Sequence, residues 1–254
     1  MLVQTGAEVG IGGFIVTGTT PKRVILRAIG PSLPVSGALA DPVIELHGPA
    51  GFTTIMNDNW RDTQEAEIIA TGIPPTNNFE SAIVVTLTPG AYTAIVSGKN
   101  GTTGVGLVEV YDLNQAAESK LGNISTRAFV STGSNIVIAG FILGNGTGMD
   151  NVILRGIGPS LPVTNKLANP TLELRDSNGT LIRANDNWQD NPAEAALITA
   201  AGLAPANPFE SAIAEILLPG PYTALLAGLN NGTGVGLIEV YDLGGTPGGV
   251  SPKY

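Results

Sequence analysis

The chain of 254 residues is one unit written twice. Val24-Ile-Leu-Arg-Ala-Ile-Gly-Pro-Ser-Leu-Pro34 returns as Val152-Ile-Leu-Arg-Gly-Ile-Gly-Pro-Ser-Leu-Pro162, and Asn57-Asp-Asn-Trp60 returns as Asn185-Asp-Asn-Trp188. Phe79-Glu-Ser-Ala-Ile83 recurs from Phe209, and Gly104-Val-Gly-Leu-Val-Glu-Val-Tyr-Asp-Leu113 recurs from Gly234 with Ile238 for Val108. The offset grows from 127 to 130 along the chain, which places small insertions after Thr20 and after Asp62. A period near 130 is too long for a solenoid repeat and suits a whole domain. The organisation expected is a first repeat at 1–113, a polar linker at 114–123, a second repeat at 124–243 and a Gly/Pro-rich tail at 244–254.

Each copy carries short β-favouring runs divided by Gly, Pro, Asn and Asp. In the first copy they cover 9–16, 23–29, 43–47, 53–56, 82–87, 92–97 and 105–111. Pro89-Gly90 and Pro219-Gly220 mark hairpin turns. Helix-like sequence is confined to 64–70 and 192–201, so a parallel α/β fold lacks its crossovers. The fold class expected is all-β: two tandem β-sandwich domains, jelly-roll-like, each with one short helix. The 23–29 run is apolar on both faces, so it is either covered twice within its domain or meets a second domain or subunit. Glu215 stands where the first copy has Val85, which marks the face of Ile83, Val85 and Leu87 as a candidate exposed contact surface.

Composition removes most chemistry. With no Cys and one His, thiolate metal sites, disulfides, Cys nucleophiles and His-rich metal sites are all excluded. His47 corresponds to Arg175, so no activity shared by the two copies uses it. A net charge of −9 with 12 scattered basic residues argues against nucleic acid. No apolar run is long enough for a membrane span, and the opening residues carry neither the basic nor the apolar region of a signal peptide. Glu45, Glu80 and Glu109 recur at Glu173, Glu210 and Glu239, but the 5% aromatic content is poor for a sugar-cleaving cleft. A non-catalytic protein is expected.

Two readings fit the repeated acidic loops. Asn57, Asp58, Asn59 and Asp62, with Asn185, Asp186, Asn187 and Asp190, offer the oxygen ligands that Ca2+ takes from flexible loops, with Glu80 and Glu210 as further candidates. The alternative is an Asx-turn network that caps the following helix through Asp62 or Asp190. Trp60 and Trp188 either stack on a sugar or pin these loops to the core. Arg27 and Arg155, and likewise Glu109 and Glu239, interrupt apolar strands. Either they pair as Arg27–Glu109 and Arg155–Glu239, or all four point to solvent. Glycan-acceptor sequons stand at Asn100, Asn123, Asn145, Asn178 and Asn231, and four of them are the Asn-Gly-Thr of ordinary turns.

The hairpin Leu87-Thr-Pro-Gly-Ala-Tyr-Thr-Ala-Ile-Val-Ser-Gly98, following Thr54-Ile-Met-Asn-Asp-Asn-Trp60, resembles the bacterial pre-peptidase C-terminal type of β-sandwich. It is similar, too, to the tandem repeats of large secreted bacterial surface proteins. The resemblance implies a jelly-roll-like sandwich in an extracellular or cell-surface setting, an accessory or structural role, and in some cases calcium. Copy 1 retains only Leu2-Val3 of the strand that opens copy 2 with Asn123-Ile-Ser-Thr-Arg-Ala-Phe-Val130. An incomplete edge of that kind invites strand addition, and with the Gly/Pro-rich tail it suggests head-to-tail self-association. The expected function is a non-catalytic module of a surface fibre, stalk or matrix. The alternative is a calcium-dependent module that binds glycans or cell surfaces.

Overall fold

The computed structural model describes residues 1–144 and 148–245. Asn145 and residues 246–254 of the expected tail lie outside the described residues. The chain divides into two compact units, the first ending at Ile124 and the second starting at Ser125.

The first unit contains β1 (Leu2–Val3), β2 (Gly10–Gly18), β3 (Lys22–Ile29), β4 (Pro42–His47), β5 (Ile55–Asn57), α1 (Glu65–Ala70), β6 (Ser81–Leu87), β7 (Gly90–Gly98), β8 (Gly104–Val105) and β9 (Leu107–Asp112). It ends in the leading residues, 119–124, of β10 (Ser119–Val130). One sheet runs β10-β2-β7-β4-β5, and the other runs β6-β3-β9. Period-two patterning builds the interior between them: Phe14 and Val16 of β2, Ile44 and Leu46 of β4, and Ala94 and Val96 of β7 meet Val24, Leu26 and Ala28 of β3 and Ile83 of β6.

The other face of β3 is also buried. Ile25 packs with Ala82, Val84, Trp60 and Ile68 of α1. The apolar character of both faces of β3 therefore has its cause inside the unit, in a sandwich with a third layer made by the helix and its loops. The face of Ile83, Val85 and Leu87 is not an exposed surface. Ile83 and Leu87 are buried, and Val85 and Ile55 are partly buried residues that pack against the same interior. In the second unit the two marginal residues are Glu215 and Arg183, which bond each other at 3.0 Å. Charge is tolerated there because a partner arrives with it.

The second unit repeats the plan with residues 125–130 of β10, β11 (Val137–Leu143), β12 (Asp150–Ile157), β13 (Pro170–Arg175), β14 (Leu181–Asn185), α2 (Pro192–Ala200), β15 (Ser211–Leu217), β16 (Gly220–Gly228) and β17 (Gly234–Asp242). Its sheets run β15-β12-β17-β10 and β11-β16-β13-β14. The chain is thus nearly all β, in a sandwich architecture. The linker expected at 114–123 is strand from Ser119 onward. Its Leu121 and Ile124 pack against the first interior, and polarity alone concealed that role. No helix is long and apolar enough to cross a membrane among the described residues.

Candidate functional site

Each acidic loop leaves the third-layer side of its sandwich between a short strand and the helix. In the first unit Asn57 ends β5 and is buried. Its Oδ1 accepts from the Ala82 N–H of β6 at 2.9 Å, and its Nδ2 donates to the Asn59 carbonyl at 3.0 Å. Asn59 Nδ2 donates to Asp62 Oδ2 at 3.1 Å. Asp58 is held by the Lys99 ammonium at 2.6 Å, with Asp41 at 3.8 Å from the same nitrogen. Burial raises the Asp41 carboxyl above the usual carboxylate range, and Lys99 opposes that rise.

The second loop reproduces the same bonds. Asn185 Oδ1 accepts from Ala212 N–H at 2.9 Å, its Nδ2 donates to the Asn187 carbonyl at 3.0 Å, and Asn187 Nδ2 donates to Asp190 Oδ2 at 3.3 Å. Where the first unit has Lys99 and Asp41, the second has Leu229 and Asn169. The Asn169 amide faces Asp186 Oδ1 and the Phe209 carbonyl, both at 3.1 Å, and two acceptors there call for its nitrogen on that side. Burial, followed by the charge of Asp190, raises the Asp186 carboxyl.

Protein donors thus engage part of each loop's oxygen set and Lys99 sits on the first loop, while Asp41 Oδ1, Asp58 Oδ1 and Asn187 Oδ1 are buried without a hydrogen-bond partner. Among the described residues no three His, Cys, Asp or Glu side chains converge as metal ligands. The expected helix caps differ as well. Asp62 and Asp190 serve their own loops, and α2 is capped by Asn191, whose Oδ1 accepts from Ala193 N–H at 3.1 Å. The N-terminus of α1 has no side-chain cap.

Glu80 and Glu210 are not loop ligands either. Glu80 is fully buried. Its Oε1 accepts from Gly30 N–H at 3.2 Å, Ser32 N–H at 3.0 Å and the Ser32 hydroxyl at 2.5 Å, while Oε2 accepts from Asn77 N–H at 3.2 Å. Glu210 repeats this with Gly158, Ser160 and Asn207. This clasp explains the Gly-Pro-Ser motif. A β-carbon at Gly30 would strike the Leu39 carbonyl oxygen, so only glycine lets the bend approach closely enough to present its N–H groups. The prolines of the motif by themselves indicate only a rigid bend. The sequence repeats both the glutamate and the Gly-Pro-Ser, but Glu80 and Ser32 lie 48 residues apart and no local spacing joins them.

Arg27 lies opposite Glu109 in the β3–β9 register. Its Nη2 is 2.5 Å and its Nε 2.9 Å from Glu109 Oε2, and its Nη1 donates to the Ile73 carbonyl at 2.8 Å. Tyr111 donates to Glu109 Oε1 at 2.8 Å and lies under the guanidinium. Arg155, Glu239, Tyr241 and the Leu203 carbonyl form the same cluster. Burial, then the Glu239 charge, pushes the Tyr241 hydroxyl up to about 12.

Trp60 is buried, donates to the Asn77 carbonyl at 3.1 Å and carries Arg61 stacked on its ring. Trp188 is partly buried against Ile198 and Ile153. Both rings pin their loops. Of the sequons, Asn123 is buried. Asn100 and Asn231 are exposed, with the positive φ of turn residues, and Asn178 is exposed in the turn between β13 and β14.

The units differ most at their sheet edges. In the first, β2 is covered by residues 119–124 of β10. Thr19 N–H donates to the Glu118 carbonyl at 3.1 Å, and Gly122 leaves room for the Thr17 side chain. In the second, the equivalent strand β11 is the last of its sheet among the described residues.

No family model matches the chain, and no curated protein does. Two solved structures show weak likeness. The structure of PNGF-II has 11% identity and a TM-score of 0.26 over 97% of this chain, which spans 61% of that one. The infectious bursal disease virus VP2 subviral particle has 11% identity and a TM-score of 0.19 over 99% of this chain and 71% of its own.

Proposed function

We propose that the protein is a non-catalytic structural module, a subunit of an extracellular fibre, stalk or matrix that self-associates through its sandwiches. The observation that carries this reading is the fate of the repeated polar motifs. Asn57, Glu80, Arg27 and their counterparts Asn185, Glu210 and Arg155 all spend their hydrogen-bonding capacity on their own unit, tying loops and helix to the sheets. Duplication has preserved what holds the sandwich together, while the acidic surroundings of the loops, Lys99 against Leu229, have diverged. A shared reactive centre would show the opposite pattern. The extracellular setting rests on the resemblance to secreted bacterial surface repeats.

The test is particle shape and mass. The purified chain is followed by light scattering and negative-stain microscopy across a concentration series, and intact source cells are treated with protease to test surface exposure. Oligomers or filaments that grow with concentration, together with protease accessibility, support the reading. Monodisperse monomers under every condition, or complete protection by intact cells, overturn it.

A further inference from the structure

The two units supply an internal comparison at their tryptophans. In the first, one face of the Trp60 indole is closed by the Arg61 guanidinium, which lies 4.1 Å from the ring centroid. Arg61 is fixed there by Glu65 of α1 and by Asn78 Oδ1, to which its Nε donates at 2.8 Å. The ring is 2% exposed, and its N–H donates to the Asn77 carbonyl at 3.1 Å. The second unit replaces each part of that cover. Gln189 stands for Arg61, and Pro208 for Asn78. Ile68 and Ile198 are the buried residues of the two helices. In that register Ala195 stands for Glu65 and Thr199 for Ile69. Trp188 still packs on Ile153 and Ile198, but its N–H is buried without a hydrogen-bond partner. In place of the cover lies an open groove of about 580 Å3, lined by Trp188, Gln189, Pro192, Ala195, Ala196 and Thr199. Ligand sites fall in the range of about 300–1,000 Å3.

We infer that this groove binds a neutral saccharide, with one pyranose ring stacked on Trp188. The inference goes beyond the structural-module reading and does not depend on self-association. No charged side chain lines the groove, so a charged ligand would be desolvated there without a partner. The floor is apolar and the polar groups are few. Gln189 is exposed. The Thr199 hydroxyl donates to the Ala195 carbonyl at 2.7 Å, which leaves its oxygen able to accept. A pyranose with equatorial hydroxyls matches that division. Its C–H face is flat and apolar, and its hydroxyls ring the perimeter, where they reach Gln189 and Thr199 or stay in water. An extended peptide matches poorly. The wall is α2, whose interior N–H and C=O groups bond each other, so the peptide's main chain would give up water and gain no partner.

The probe is cellotriose, a glucose trimer whose ring hydroxyls are all equatorial, titrated into the full chain. Two tryptophans give two indole N–H signals in a nitrogen-15 correlation spectrum, and Trp188→Phe identifies one of them by its loss. The expected result is a saturable shift of the Trp188 signal with the Trp60 signal unmoved, together with saturation transfer from the protein to the sugar protons. Gln189→Arg with Ala195→Glu rebuilds the cover of the first unit at two positions that reach solvent. It weakens binding at least about tenfold and leaves the urea midpoint unchanged. Absence of a saturable shift at millimolar sugar overturns the inference, as does undiminished binding in the rebuilt variant. Saturable binding of hexaproline without binding of cellotriose overturns it by making the groove a peptide site. Concentration-dependent dimers that the rebuilt variant abolishes, with no sugar bound, overturn it by making a second copy the occupant. Sugar binding by a chain that stays monomeric upholds the inference and counts only against the assembly reading.

Discussion

Replacing Glu80 separates a carboxylate that organises the fold from one that merely survives in it. The side chain is fully buried and accepts from three N–H groups and one hydroxyl. Glu80→Ala orphans the Gly30 N–H, which is buried, at about 1–3 kcal/mol. The N–H groups of Ser32 and Asn77 are only partly buried and regain some water, so each adds about 1 kcal/mol. The total loss is about 3–5 kcal/mol, a large share of the roughly 5–15 kcal/mol that holds a domain together. Glu80→Gln is milder. Its amide oxygen keeps the three donors on Oε1, its amide nitrogen meets the Asn77 N–H, and the loss of a buried charge offsets part of the cost, leaving about 1–2 kcal/mol.

The assay is urea unfolding followed by tryptophan fluorescence in a Trp188→Phe background. Trp60 is then the single reporter, and its own N–H bonds the Glu80 carbonyl. The order expected is wild type, then Gln, then Ala. A Glu80→Ala variant within about 1 kcal/mol of wild type, or a Gln variant more stable than wild type, refutes the reasoning, since the carboxylate would then be a net burden.

Three further outcomes follow from the same geometry. Arg27→Met leaves Glu109 unpaired in a partly buried site and costs about 2–3 kcal/mol, whereas Arg27→Met with Glu109→Leu recovers most of that loss; a double-mutant cycle on unfolding free energy without coupling refutes the pairing. Val85→Glu destabilises the first unit, and adding Ile55→Arg restores it by recreating the Arg183–Glu215 bridge; equal midpoints for the single and double variants count against that reading. Tyr241 has a folded pKa raised to about 12 against an unfolded value near 10. Its contribution to stability is therefore full below pH 10 and is lost as pH rises through 12. Alkaline difference spectra should show a tyrosine ionising near pH 12 that vanishes in Tyr241→Phe, and its persistence in that variant would reassign the group.

The fold was legible because its signals are local and doubled. Short β runs, Pro-Gly turns and a single helix-like stretch per copy point to an all-β pair of sandwiches, and Arg and Glu repeated within apolar strands raised the pairing that the structure makes across β3 and β9, and across β12 and β17. The loops were harder to read. Asn57 and Asn59 look the same whether their oxygens face a cation or a backbone N–H, because composition carries no direction. The β6 N–H that fills Asn57 lies 25 residues away, and no spacing rule reaches it. Glu80 and Ser32, 48 residues apart, present the same difficulty.

By itself, the sequence determined the repeat, the turn chemistry and the absence of thiols, since these are properties of residue type and order. Only the tertiary structure decided that the second face of β3 is covered by its own helix, that Asn57 and Asn185 tie their loops to β6 and β15, and that Leu121 and Ile124 pack against the first interior. Each of these depends on which groups meet across the sheets, where burial makes every unsatisfied donor or acceptor costly. That cost, more than local propensity, selects the arrangement in which loop, helix and sheet satisfy one another.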